Sequence, residues 1–250
     1  MICGGVSLQG KAHARREVPD QDAYWVGPVF DDGWLLCVSD GVGSCAHAEV
    51  GSQALCRAAW QAALICGCVV ENPEAFLRDL HEIWLAEVRV CGMAVKDCCA
   101  TALVGVLGAD GIWGFRLGDG FLAIAAGADS IVLFDDKADG ALDETVSLSE
   151  EVPLEAWTSV HLGPSQSRAF AGMIAATDGV QFEQERETLL RLVREFSEGN
   201  AGLPQANIEA SMREWMPQYG GYDDTTLAFL LPDALPFVTD GTKEEENGDV

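Results

Sequence analysis

The chain has 250 residues, 48% of them hydrophobic, which allows one domain with a substantial core and excludes disorder as its default state. Its 15 Lys and Arg face 40 Asp and Glu, a formal net charge of −25. That balance argues against nucleic acid or an anionic membrane surface as a partner and suits a site that gathers cations, although any soluble acidic protein would share it.

Nine cysteines, odd in number and irregularly spaced, fit small core thiols rather than a disulfide framework. Met1 to Gly10 lacks a basic stretch followed by an apolar run. No uncharged apolar stretch reaches the ~20 residues of a membrane span. The expectation is a cytoplasmic chain with no membrane partner.

In chain order, residues 6–8 and 24–26 are short predicted strands on either side of a polar loop. Residues 34–38 form a continuous apolar run ending at Ser39-Asp40-Gly41, a buried strand entering a turn. Residues 46–66, rich in Ala, Leu and Gln, read as a mostly buried helix. Asn72-Pro73 is an N-cap followed by Pro at the first helical position. The helix it opens carries an apolar stripe of Leu77, Leu80, Trp84 and Val88 and ends near Gly92.

Residues 102–107, 112–117, 121–126 and 131–134 are short runs separated by Gly and Asp, and their spacing predicts an antiparallel meander. Residues 170–176 form a buried strand ending at Thr177-Asp178-Gly179. Leu189, Leu192, Val193 and Phe196 mark a third helix stopped by Gly199. Residues 207–216 suit a short fourth helix and 226–231 a last strand. The order implies an α+β domain, antiparallel sheets covered by helices, over residues 1–236. Residues 237–250 read as an acidic, disordered tail.

Five segments stand out, and several share one logic: an apolar strand delivers an Asp to its end, and a Gly follows. They are Gln21-Asp22-Ala23, Val38-Ser39-Asp40-Gly41-Val42-Gly43, Arg116-Leu117-Gly118-Asp119-Gly120, Ala176-Thr177-Asp178-Gly179-Val180 and Tyr222-Asp223-Asp224-Thr225-Thr226. A strand end fixes a carboxylate, and a following Gly lets the backbone carbonyl approach an ion. Mg²⁺ and Mn²⁺ are hard ions that prefer such oxygens. Asp-Gly is also a common turn pair, so each segment alone reads as a turn first.

Taken together and in this order, the five segments resemble the PPM/PP2C family of metal-dependent protein serine/threonine phosphatases, most of all its bacterial branch. The resemblance spans about residues 6–231. It implies a four-layer α/β/β/α sandwich of two antiparallel sheets flanked by helices. It also implies two Mn²⁺ or Mg²⁺ ions bridged by a water, which as hydroxide attacks a phosphoserine or phosphothreonine ester in line. By motif position Asp40 would bridge both ions and Asp22 would act mainly in their outer shell. The Gly41 carbonyl would bind one ion, and Asp178 and Asp223 the other. Asp119, with Asp178, would help hold a third. Asp22, Asp40, Asp178 and Asp223 are the implied catalytic set. The implied partner is a phosphoprotein substrate of a bacterial Ser/Thr kinase.

The family's phosphate-gripping Arg, five residues before the first Asp, is replaced here by Glu17. His13, Arg15 and Arg16 are the nearby substitutes, and His13 is preferred as the phosphate-binding residue. This departure keeps two other readings open: a pseudophosphatase that binds phosphoprotein without turnover, and a hydrolase of a small phosphorylated metabolite. Val42 occupies the position where eukaryotic members carry a His. Cys66-Gly67-Cys68 and Cys98-Cys99 lack the two-residue gaps of zinc sites. Neither a Cys-nucleophile phosphatase loop nor a P-loop occurs.

Overall fold

The computed structural model describes residues 1–30, 33–127, 130–134, 146–181 and 185–235. The segment 237–250, read as a tail, lies outside them. One sheet holds β1 (Ile2–Leu8), β10 (Thr225–Leu231), β9 (Phe170–Ala176), β6 (Phe121–Ala126) and β7 (Ile131–Phe134), in that spatial order. The other holds β2 (Asp22–Phe30), β3 (Gly33–Asp40), β4 (Ala102–Gly108), β5 (Gly111–Leu117) and β8 (Thr158–Leu162). Every neighbouring pair is antiparallel.

The central strands read as unbroken apolar runs because both of their faces are covered. In β3, Leu36 and Val38 point between the sheets, while Leu35 and Cys37 point outward to α2 (Ala48–Cys66) and α3 (Pro73–Val90). In β10, Ala228 and Leu230 point inward, while Leu227, Phe229 and Leu231 meet α5 (Arg186–Asn200) and α6 (Gln205–Trp215). Three apolar layers result, one between the sheets and one under each helix pair. This is the expected α/β/β/α sandwich.

Local signals explain the helices. Asn72 caps α3 by accepting the Ala75 amide at 3.2 Å, and Pro73 occupies the first turn. Trp84, fully buried, donates its indole N–H to the Gly51 carbonyl of α2 at 3.0 Å, so its polar atom is satisfied inside the core. Among the described residues, no helix is long and apolar enough to cross a membrane. The nine cysteines are free thiols; four are buried and five are partly or fully exposed, so fewer of them belong to the core than expected.

Three expectations need correction. The four central strands do not form one meander: β4 and β5 pair in one sheet, β6 and β7 in the other. The chain changes sheets at Gly118-Asp119-Gly120, where both glycines take positive φ (84° and 90°). The loop after β1 contains a helical turn, α1 (Lys11–Arg16), closed by Glu17 in the left-handed region (φ 56°). The edge strand β8 and the short helix α4 (Pro164–Arg168) went unread, because each is only five residues long and β8 lies largely exposed at a sheet edge.

The sheets interlock where Gly105 of β4 leaves room for Met173 of β9; a Cβ at Gly105 would collide with the Met173 sulfur. Met173 is fully buried. We expect Met173→Ala to lower unfolding free energy by about 2–5 kcal/mol in urea denaturation, whereas a change within error would mean the inter-sheet layer tolerates a void.

Candidate active site

Both sheets deliver acidic residues to the same end of the sandwich. In one, Asp22 opens β2 and Asp40 closes β3, and the two are direct cross-strand partners. In the other, β9 runs out into Thr177-Asp178-Gly179, and Asp223-Asp224 lead into β10. Asp119 joins them from the turn that carries the chain between the sheets. A cavity of about 340 Å³ opens here, and His13, Gly41, Asp40, Asp119, Asp178 and Asp223 all line it. Asp22 does not; it is buried behind Asp40. The structure therefore gathers the residues singled out from the sequence into one place.

The frame around these carboxyls is rigid. The Asp40 amide donates to the Thr101 hydroxyl at 2.9 Å, and the Thr101 amide donates back to the Asp40 carbonyl at 2.8 Å. The Gly41 amide donates to the Gln21 carbonyl at 3.1 Å, tying the two Asp-bearing segments together. A Cβ at Gly41 would collide with the Ala48 carbonyl at the start of α2, so glycine permits that close approach. A Cβ at Gly179 would likewise strike the Asp224 carbonyl. The Thr177 hydroxyl donates to Asp22 Oδ2 at 2.8 Å and accepts the Thr226 amide at 3.0 Å.

Electrostatically the site is frustrated. Like charges directly opposite each other on paired strands repel. Burial pushes the Asp22 carboxyl up to about 8; hydrogen bonds from Thr177 and Thr226 oppose this, and the charges of Asp20 and Asp224 add to it. Asp40 is held well above the usual carboxylate range, first by burial and then by the charges of Asp22, Asp178 and Asp223. Asp22 Oδ1 and Gln21 Oε1 are buried without a hydrogen-bond partner. Two facing carboxyls must share a proton or be bridged by a cation. The orphaned oxygens and the all-oxygen donor set fit a hard divalent ion.

His13 is buried against this cluster. Asp224 accepts the Gly10 amide at 2.7 Å and the Gln21 amide at 2.6 Å, and His13 Nδ1 donates to its Oδ2 at 2.7 Å. The other ring nitrogen, Nε2, stands 3.8 Å from Asp223 Oδ1. One atom each of His13, Asp223 and Asp224 lie within 4.8 Å of one another, but the His13–Asp224 hydrogen bond already accounts for that closeness. Glu17 is exposed and does not line the cavity, whereas Arg16, one residue earlier, does; Arg15 does not. Sequence reasoning missed Tyr222, an exposed aromatic on the cavity wall, and the anchoring role of Asp224. An exposed Tyr carries no sequence signal, and Asp224 shows its role only once α1 folds against it.

Solved structures share this architecture. One described as a bacterial serine phosphatase is 10% identical, with 95% of this chain and 100% of that chain covered and a TM-score of 0.65. Serine/threonine phosphatase Stp1 from Staphylococcus aureus is 11% identical, with 93% and 95% covered and a TM-score of 0.63. RsbX in complex with magnesium is 16% identical, with 90% and 92% covered and a TM-score of 0.56. At such identities the likeness is one of fold alone. The sequence profile described as Protein phosphatase 2C matches residues 9–217, and the chain belongs to that family. No curated protein sequence matches it.

The raised carboxyls fix a pH dependence in the absence of metal. The folded chain keeps protons that the unfolded chain has released, so stability falls as pH rises from the ordinary carboxylate value of 3.8 through about 8. With chelator present, we expect each retained proton to add a slope of up to about 1.4 kcal/mol per pH unit, negative with rising pH. Asp22→Asn is expected to make that slope shallower; identical slopes in the two proteins would contradict it.

Proposed function

We propose that the chain is a metal-dependent protein phosphatase that hydrolyses phosphoserine and phosphothreonine esters of protein substrates. The observation that carries this reading is the facing Asp22–Asp40 pair beneath a cavity edged by Asp119, Asp178 and Asp223. Membership of the protein phosphatase 2C family supports it. That RsbX, with the same fold, was solved with magnesium supports the choice of ion.

Asp40, the Gly41 carbonyl, Asp178 and Asp223 would hold two Mn²⁺ or Mg²⁺ ions, and Asp119 with Asp178 would serve a third. When bound, such ions supply charge neutralisation for the phosphate oxygens and a water of lowered pKa. Asp22, buried behind Asp40, acts from outside the ligand set and adds negative charge at its floor. Thr101 holds the Asp40 backbone and Thr177 the Asp22 carboxyl, so that little reorganises on binding.

His13 is the phosphate-binding residue of this reading. Asp224 holds its Nδ1, which leaves Nε2 for the cavity. As imidazolium it can donate Nε2–H to a phosphate oxygen, in place of the Arg that Glu17 replaces. The substrate would be a phosphoprotein made by a Ser/Thr kinase. The open cavity wall suits a protein-borne phosphate over a sequestered metabolite, and the retained carboxylates favour turnover over binding alone.

The test is hydrolysis of p-nitrophenyl phosphate and a phosphothreonine peptide with Mn²⁺. We expect Asp40→Asn and Asp178→Asn each to lose about a hundredfold or more in kcat. His13→Ala is expected to raise KM about tenfold, with a smaller change in kcat. No activity with any divalent ion would overturn the reading, and unchanged KM in His13→Ala would remove His13 from it.

A further inference from the structure

The helical turn α1 is the most basic stretch of a strongly acidic chain. Lys11, His13, Arg15 and Arg16 fall within its six residues, against a total of 15 Lys and Arg for the whole molecule. Among the described residues, Arg57 pairs with Glu87 at 2.7 Å, Arg78 with Glu74 at 2.9 Å and Arg89 with Glu150 at 2.6 Å. Lys11, Arg15 and Arg16 form no ion pair with any described carboxylate, and all three are exposed.

Their position is fixed. The Lys11 amide donates to the Gly221 carbonyl at 3.2 Å and the Ala12 amide to the Tyr222 carbonyl at 3.0 Å, which stitches α1 to the cavity wall. Arg16 lines the cavity, and the Lys11 ammonium lies beside Gly221. His13 lies buried on the same turn and faces Asp223 and Asp224. Arg16 thus edges the mouth, Lys11 stands beside the adjoining Gly221, and Arg15 is exposed on the same turn, next to Arg16.

We propose that α1 selects phosphorylated segments carrying Asp or Glu beside the phosphorylated side chain, with Lys11, Arg15 and Arg16 meeting those flanking carboxylates. This rests on the phosphatase reading above and names its substrate class. A net charge of −25 would by itself draw basic segments and repel acidic ones. Over the few ångströms of a docked peptide, the local cations outweigh that field, because charges beyond a Debye length of ~8–10 Å are screened. The two influences therefore give opposite substrate rankings.

The experiment uses three phosphothreonine peptides that differ only in their flanks, acidic, neutral amide or basic, with the full chain and Mn²⁺. We expect kcat/KM to rank acidic over neutral over basic, with about a fivefold step from neutral to acidic at low salt. The step should narrow in about 0.5 M salt. In a Lys11→Gln, Arg15→Gln, Arg16→Gln triple variant the acidic-to-neutral ratio should fall to near one. A basic peptide that equals or beats the neutral one in the unmodified chain overturns the proposal, as does a triple variant that keeps the acidic preference. Hydrolysis of p-nitrophenyl phosphate separates the two readings. If it fails, the phosphatase reading fails, and fluorescence anisotropy of the same peptides, ranked by affinity, decides the docking proposal.

Discussion

Asp22 and Asp40 face each other across neighbouring strands, in register, with Asp22 buried and Asp40 lining the cavity. No arrangement of the protein alone makes this favourable at neutral pH: burial and mutual repulsion both oppose ionisation of the pair. A chain selected for stability alone would place one carboxyl there at most. The surrounding structure instead holds the two together, through the Thr101–Asp40 backbone bonds, the Gly41–Gln21 bond and the Thr177 hydroxyl on Asp22. A divalent cation would reverse the sign of the problem, with Asp40 offered as a ligand and the charge of Asp22 behind it made favourable.

The sandwich makes that concentration possible. Strands covered on both faces supply stiff rods, and their ends carry the carboxyls while the apolar layers supply the stability that the site withdraws. The second sheet brings Asp178 and Asp223 to the same end because β9 and β10 are antiparallel neighbours, so the end of one lies beside the start of the other. Asp224 then plays a different part from Asp223. Two backbone amides and His13 surround it, and it ties α1 to the start of β10. One carboxyl of the adjacent pair faces the cavity and its neighbour builds the wall.

Much of this was legible in the sequence, and what was not has physical reasons. Asp40 and Asp178 follow apolar runs and precede Gly, so strand end, carboxylate and close backbone approach could be read locally. The sheet change at Gly118-Asp119-Gly120 could not, because the runs on either side look alike and only the positive φ of both glycines parts them. β8 escaped because an edge strand owes its place to its neighbour β5 and not to its own pattern. The turn at α1 is short and polar, and what holds it is contact with residues more than two hundred positions away. This wall of the cavity depends on that contact, so Arg16 and Tyr222 gained their places at it only in three dimensions.

The central claim is that the facing carboxyls and their neighbours constitute a cation site. Isothermal titration calorimetry of Mn²⁺ into the metal-free chain, repeated in buffers of different ionisation enthalpy, addresses it most directly. The expected result is binding of at least two ions per chain with net release of protons near pH 7, because the protons held by Asp22 and Asp40 must leave as the ions enter. Absence of saturable Mn²⁺ binding, or binding that releases no protons, would contradict it.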